Sequence, residues 1–232
     1  MKSICNSAFG QSILLPLTSM QAALRLLPSC WNHNVMDIYT DIEQYDHDTI
    51  ERIAGHYREI LSLLGEDLSR EGLEKTPMRA AKALYYATQG YRQDPSAIMN
   101  QAIFEYNGSR MIIVKDIEFY SMCEHHILPF FGKVSVGYIP DGTMVGLSKL
   151  ARIVDAYARR LQVQERLTAE ICREIYETLP AKGAIVTCNA GHLCMKMRGV
   201  EKQEATTTTT DYLGVFATDP DLRHEFFEAL KA

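Results

Sequence analysis

The chain has 232 residues, 47% of them apolar and 23% charged, with a net charge of −5. That length is one large domain or two small ones with enough apolar matter for a core, and the acidic balance argues against a general nucleic-acid binder, which is usually basic. No apolar run reaches the roughly 18 residues a membrane span needs, and Met1-Lys2-Ser3-Ile4-Cys5 fits the start of a secretory signal poorly, so the expectation is a cytoplasmic protein without membrane or nucleic-acid partners.

Residues 1–45 lack a sustained period and read as a poorly ordered tail, with Met36 as an alternative start. From Thr49, the residues Ile50, Ile53, Tyr57, Ile60, Leu61 and Leu64 recur at helical spacing up to Gly65, a glycine suited to end a helix. Thr76-Pro77 reads as a cap and first position of a helix toward Gly90. Met111 to Phe119 and Lys133–Ile139 have strand character, the second punctuated by Pro140-Asp141-Gly142. Ser148 is placed to cap a helix carrying Leu150, Ile153, Val154, Tyr157 and Leu161. A second helix runs through Leu167, Ile171, Ile175 and Leu179 to Pro180. Ala184–Cys188 and the stretch to Val200 read as two more strands, and Asp219-Pro220 opens a last helix. The threonine run Thr206–Thr210 suits an edge strand or an ordered loop. The order strand, strand, helix, helix, strand, strand predicts an antiparallel α+β domain.

Chemistry concentrates in two short stretches. Cys123 and His126 have Cys-x-x-His spacing, and His192-Leu193-Cys194 supplies a second His/Cys group. Zinc prefers thiolate and imidazole, and a catalytic zinc usually keeps three protein ligands and one open position. Cys123, His126 and Cys194 would make that set; a closed structural site would add His125 or His192. Spacing leaves both readings open. With three ligands, His125 and His192 remain to move protons beside a zinc-coordinated water, whose pKa falls to about 7, or to orient a ligand. Of the other cysteines, Cys172 and Cys188 suit a core. Ser148, Lys149 and Arg152 gather at a helix start, either a phosphate seat or solvated basic residues. Lys196 and Arg198 follow the second His/Cys group. Glu165 can accept two adjacent N–H groups, as a guanine edge presents, or simply pair with Arg166.

The stretches Glu71-Gly72-Leu73-Glu74-Lys75-Thr76-Pro77-Met78-Arg79, Ser121-Met122-Cys123-Glu124-His125-His126, Gly146-Leu147-Ser148-Lys149-Leu150-Ala151-Arg152, Arg160 to Thr168, and His192-Leu193-Cys194-Met195 with Arg198-Gly199-Val200 resemble GTP cyclohydrolase I. The resemblance runs from about residue 50 to the C-terminus; Asp211 stands where the family's threonine-rich segment carries serine. It implies a tunnelling fold, ββααββ, preceded by N-terminal helices: a helical region at 46–95 and a catalytic domain at 96–232. It implies a homodecamer of two pentameric rings with active sites between subunits. The implied reaction converts GTP and water to 7,8-dihydroneopterin triphosphate and formate, the entry to folate or tetrahydrobiopterin synthesis. Residue by residue, the resemblance implies Zn2+ on Cys123, His126 and Cys194, and acid–base roles for His125 and His192. It implies a guanine anchor at Gln164 and Glu165, and triphosphate contacts at Ser148, Lys149, Arg152, Arg198 and Arg79. A tunnelling-fold nitrile reductase is one rival, but its cysteine nucleophile needs no zinc triad. A zinc-stapled interaction module is another, and it leaves Ser148, Lys149 and Arg152 unexplained.

Overall fold

The computed structural model describes residues 46–231; the tail expected at 1–45, with Met36, lies outside the described residues. Helices come first: α1 (His47–Leu63), α2 (Thr76–Ala87), a 3-10 turn (Gln89–Arg92) and α3 (Pro95–Asn100). Gly65 has the left-handed φ of 85° expected of a residue that stops a helix. The cap of α2 is Lys75 rather than Thr76, whose hydroxyl instead donates to the Gly72 carbonyl at 3.1 Å. None of the described helices is long and apolar enough to cross a membrane.

The strands follow. A short ribbon pairs β1 (Ile103–Glu105) with β4 (Thr143–Val145). Between them lie β2 (Ile112–Cys123) and β3 (Pro129–Pro140), antiparallel from Ile112 opposite Tyr138 to Met122 opposite Pro129. A bulge interrupts β2, where Asp116 takes a φ of 60° and donates its N–H to Ser135 Oγ at 3.2 Å. Helix α4 (Leu147–Ala158) is capped by Gly146, not Ser148. The ribbon fixes that start, because the Gly146 N–H donates to the Ala102 carbonyl at 2.9 Å. A two-residue strand β5 (Leu161–Gln162) then runs parallel to the end of β2, and α5 (Gln164–Thr178) follows.

The last quarter departs from the pattern read above. β6 (Ala181–His192) is one unbroken strand, after which Leu193–Lys196 turns as a short helix, α6; the stretch toward Val200 is therefore not a strand. The fourth long strand is the threonine-rich segment, β7 (Thr207–Gly214), paired antiparallel with β6 from Gly183 opposite Gly214 to Ala190 opposite Thr207. The helices α7 (Val215–Thr218) and α8 (Pro220–Lys231) close the chain. The sheet order is β5-β2-β3-β6-β7, so the major elements run ββααββ in an antiparallel α+β domain.

Period-two alternation divides β6 between two cores. Ala184, Val186, Cys188 and Ala190 join Phe119, Phe130, Val134 and Val136 of β2 and β3 under α4 and α5, with Ile153, Leu167, Ile171 and Ile175 fully buried between. Ile185 points the other way and packs with Ile139, Phe216 and Phe226. Burying a side chain such as Phe226 stabilises the fold by roughly 1.5–3 kcal/mol. Gly137 makes that seat possible, since a Cβ there would stand 2.7 Å from the Phe226 ring. β3 lies between β2 and β6, and its start pairs with the end of each, Pro129 with Met122 and Phe130 with His192, which brings the two His/Cys stretches to the same end of the sheet.

Candidate metal centre and its surroundings

Cys123 is the last residue of β2 and is buried, while His126 sits exposed in the turn that joins β2 to β3. The turn is closed by Cys123 N–H to the Leu128 carbonyl and Ile127 N–H to the Cys123 carbonyl, both 2.8 Å. It is tight enough to force Ile127 into a φ of 53°, a costly conformation for a β-branched residue. Cys194 lies in α6, reached because β6 ends opposite the start of β3, with His192 facing Phe130 in the register.

The Sγ atoms of Cys123 and Cys194 and a ring nitrogen of His126 all lie within 4.8 Å of one another. Two sulfurs and one imidazole nitrogen suit a borderline-soft divalent ion, with a fourth position left for a non-protein ligand. Burial, then the neighbouring Cys123, pushes the Cys194 thiol up. A divalent ion held there would bind the sulfurs as thiolates.

The two remaining histidines differ in setting. His125 is exposed beside His126, its Nε2 4.0 Å from a Glu124 carboxylate oxygen. His192 is half-buried, its ring stacked on Phe130 with centroids 4.6 Å apart. Burial lowers the His192 pKa, against a smaller opposing pull from Glu165. Its Nε2 lies 2.8 Å from Gln164 Oε1.

Gln164 and Glu165, adjacent at the start of α5, part company. Gln164 is 1% exposed, and its amide nitrogen lies 3.0 Å from the Cys188 carbonyl and 2.9 Å from the Thr207 carbonyl. Expected beside Glu165 as a guanine contact, it is turned into the protein toward His192. Glu165 is exposed. Arg166 does not pair with it; that guanidinium holds Glu124, Gln162 Oε1 at 2.9 Å and the Leu161 carbonyl at 3.0 Å. The Glu165 carboxylate is thereby left to face solvent.

The basic residues lie at three places in the chain. Ser148 and Arg152 are exposed on α4. Lys149 donates to Gln101 Oε1 at 2.7 Å, and burial together with the Arg152 charge lowers its pKa. Arg79 is exposed on α2, and Arg198 lies just past α6, near enough to Cys194 to bear on its charge. No hydrogen bond or ion pair among the described residues ties Ser148, Lys149, Arg152 or Arg79 to the Cys123 group. A cavity of ≈ 600 Å³, lined among others by Lys115, Lys133, Asn189 and Phe227, contains none of these residues.

Three features were not foreseen: the burial of Gln164, the Glu124–Arg166 pair and the Phe130–His192 stack. All three join residues far apart in the chain, which no local pattern signals.

Residues 53–231 match the family model described as GTP cyclohydrolase I. A protein named GTP cyclohydrolase 1 from Porphyromonas gingivalis is 54% identical over 191 residues, covering 82% of this chain and 97% of its own. Proteins of the same name from Parabacteroides distasonis and Alkalilimnicola ehrlichii are 53% and 51% identical, covering 78% of this chain and 92% and 98% of theirs.

Proposed function

Because the chain belongs to the GTP cyclohydrolase I family, we propose that it opens the imidazole ring of GTP and converts it, with one net water, to 7,8-dihydroneopterin triphosphate and formate. The observation that carries this reading is the convergence of Cys123, His126 and Cys194 from two remote stretches. Those three would hold zinc, which when bound supplies Lewis acidity and a hydroxide nucleophile at neutral pH.

The chain's own groups supply positioning and proton transfer. The exposed Glu165 carboxylate accepts N1–H and the exocyclic amine of guanine, a bidentate contact that fixes the base. Ser148, Lys149, Arg152, Arg198 and Arg79 meet the triphosphate. Lys149 and Arg152 repel each other without a ligand, so an anion between them relieves that cost. Holding both ends of the nucleotide sets C8 at the metal centre, and such positioning contributes several kcal/mol to the barrier. His192 and His125 flank that point. Hydrolytic addition at C8 breaks C8–N9, and an imidazole delivers a proton to N9 as it leaves. A second water cleaves the formamide so formed and releases formate. The ribose then rearranges, and the amine freed at N7 condenses with its C2′ carbonyl, returning one water.

Residues 96–232 would carry this chemistry, with the helices at 46–95 contributing Arg79. We read the assembly as a homodecamer of two pentameric rings with sites completed between subunits. Two features support this. Among the described residues, no hydrogen bond or ion pair joins Ser148, Lys149, Arg152 or Arg79 to the Cys123 group. Ile127, Leu147, Met195, Met197 and Val200, close in sequence to the site residues, are each more than a third exposed, as apolar side chains at a contact surface are. The reading extends to a cytoplasmic enzyme at the entry to folate or tetrahydrobiopterin synthesis. The deciding experiment measures GTP-dependent formate release and metal content on one sample. Metal-replete protein that binds GTP without releasing formate would overturn the reading.

A further inference from the structure

The threonine run has no part in the chemistry above, yet β7 registers it against the stretch of β6 that leads to His192. Cys188 stands opposite Thr209 and Ala190 opposite Thr207. The period of two sends alternate threonines to opposite faces. Thr208 and Thr210 are exposed; Thr208 Oγ1 accepts from Asn189 Nδ2 at 2.8 Å, and Thr210 Oγ1 lies 3.0 Å from Thr187 Oγ1. Thr209 turns inward to α5, its Oγ1 2.6 Å from Thr168 Oγ1 and 3.2 Å from Gln164 Nε2.

The hydroxyl protons in this cluster can be assigned by elimination. Thr168 Oγ1 lies 2.8 Å from the Gln164 backbone carbonyl, which can only accept, so Thr168 donates there. Its oxygen is then the acceptor for the Thr209 O–H. That leaves the Thr209 lone pairs facing the Gln164 amide. The amide nitrogen therefore meets three acceptors: Thr209 Oγ1 and the carbonyls of Cys188 and Thr207. A flipped amide would put its oxygen against two buried carbonyls and lose both hydrogen bonds, at about 1–3 kcal/mol for each group left unsatisfied. Oε1 must face His192, and an oxygen there requires a proton on His192 Nε2.

We propose that Thr209 and Gln164 are positioning residues that hold neutral His192 as its Nε2–H tautomer, leaving Nδ1 as the ring's proton-accepting atom. The threonine pair sets the amide, the amide sets the imidazole, and the Phe130 ring sets its plane. Gln164 thus acts through His192 rather than on the purine. The inference rests on the acid–base reading of His192 for its kinetic consequence, but the tautomer itself does not depend on turnover.

Two measurements test it on the full-length, metal-loaded protein. Thr209→Val keeps the shape and removes the acceptor; Thr209→Ser keeps the hydroxyl. The expected result is a kcat about tenfold lower for Thr209→Val, with KM for GTP and bound metal unchanged, and recovery in Thr209→Ser. A Thr209→Val enzyme with full kcat, or one in which KM and metal content fall along with kcat, overturns the positioning role. The second measurement needs no Thr209 variant. Nitrogen-15 spectra of histidine-labelled protein, with the His192 signals identified by their loss in His192→Ala, should show neutral His192 protonated at Nε2. Protonation at Nδ1 overturns the assignment even if turnover is normal. Absence of any formate release with the Nε2–H tautomer intact would instead remove the proposed reaction and leave the geometry standing.

Discussion

The ring of His192 lies flat on that of Phe130, the planes within 3° and the centroids 4.6 Å apart. The two residues are register partners across β3 and β6, so the stack is a product of strand pairing. Phe130 is fully buried and also meets Phe119 edge-on at 5.8 Å. One ring thereby joins the core to a side chain of the site. Phe130→Leu should keep most of the core volume and remove the flat face. We expect a stability loss of about 1 kcal/mol in urea titration and a several-fold fall in kcat. An unchanged kcat would show that the ring does not hold the imidazole.

The sequence made legible what depends on local pattern. The helical period that runs through Leu150, Ile153 and Val154 and the one through Leu167, Ile171 and Ile175 both appear as core-facing helices. The spacings of Cys123 with His126 and of His192 with Cys194 pointed to one cluster, and the ligand atoms of Cys123, His126 and Cys194 meet. What stayed hidden depends on partners far along the chain. Thr206–Thr210 suits a strand or a loop until β6 offers an edge, and then most of it is β7. The resemblance gives Gln164 a guanine contact beside Glu165, yet two carbonyls on β6 and β7 draw its amide inward. Ser148 has the chemistry of a cap, but the β1–β4 ribbon sets the helix start at Gly146 instead.

His125 and His126 are adjacent, and only His126 has a nitrogen within the sulfur cluster. Cys123→Ser, His126→Ala and Cys194→Ser should each lose metal in elemental analysis. Removing this turn side chain leaves the buried cluster under α4 and α5 intact, so His126→Ala should melt near the metal-free parent and lack only the stabilisation that bound metal adds. His125→Ala should keep stoichiometric metal and lose formate release by about 10²–10⁴-fold, the usual range for a proton-transfer group. Metal loss in His125→Ala would reassign that residue as a ligand.

Arg198 is exposed beyond α6, where the chain reverses through Gly199 with a φ of 71°. On the proposed reading, a guanidinium there meets the substrate's charge and not its reacting carbon. Arg198→Ala should therefore raise KM for GTP about tenfold, with a smaller change in kcat; a charge-assisted hydrogen bond contributes about 1.5–3 kcal/mol. The increase should shrink with salt, since exposed charges are screened over about 8–10 Å. A KM equal to that of the parent would remove Arg198 from the triphosphate contacts.

Cys172 and Cys188 are fully buried in the cluster between the sheet and α5, and burial pushes both thiols up to about 12 from a usual value near 9.0. A raised pKa means that the folded state favours the protonated thiol. Below pH 9 both folded and unfolded chains hold these protons, and stability is at its full value. As pH rises past 9 the unfolded chain releases them while the folded chain keeps them, so unfolding is progressively favoured up to about pH 12. The slope is about 1 kcal/mol per pH unit for each thiol. Urea midpoints should fall as pH rises from about 9 toward 12, and Cys172→Ala/Cys188→Ala should show a lower midpoint at pH 8 with a flatter decline above pH 9. Parallel declines in parent and variant would place the alkaline loss in other groups, such as Tyr157, whose hydroxyl is also pushed up by burial and by the Glu174 carboxylate that it donates to.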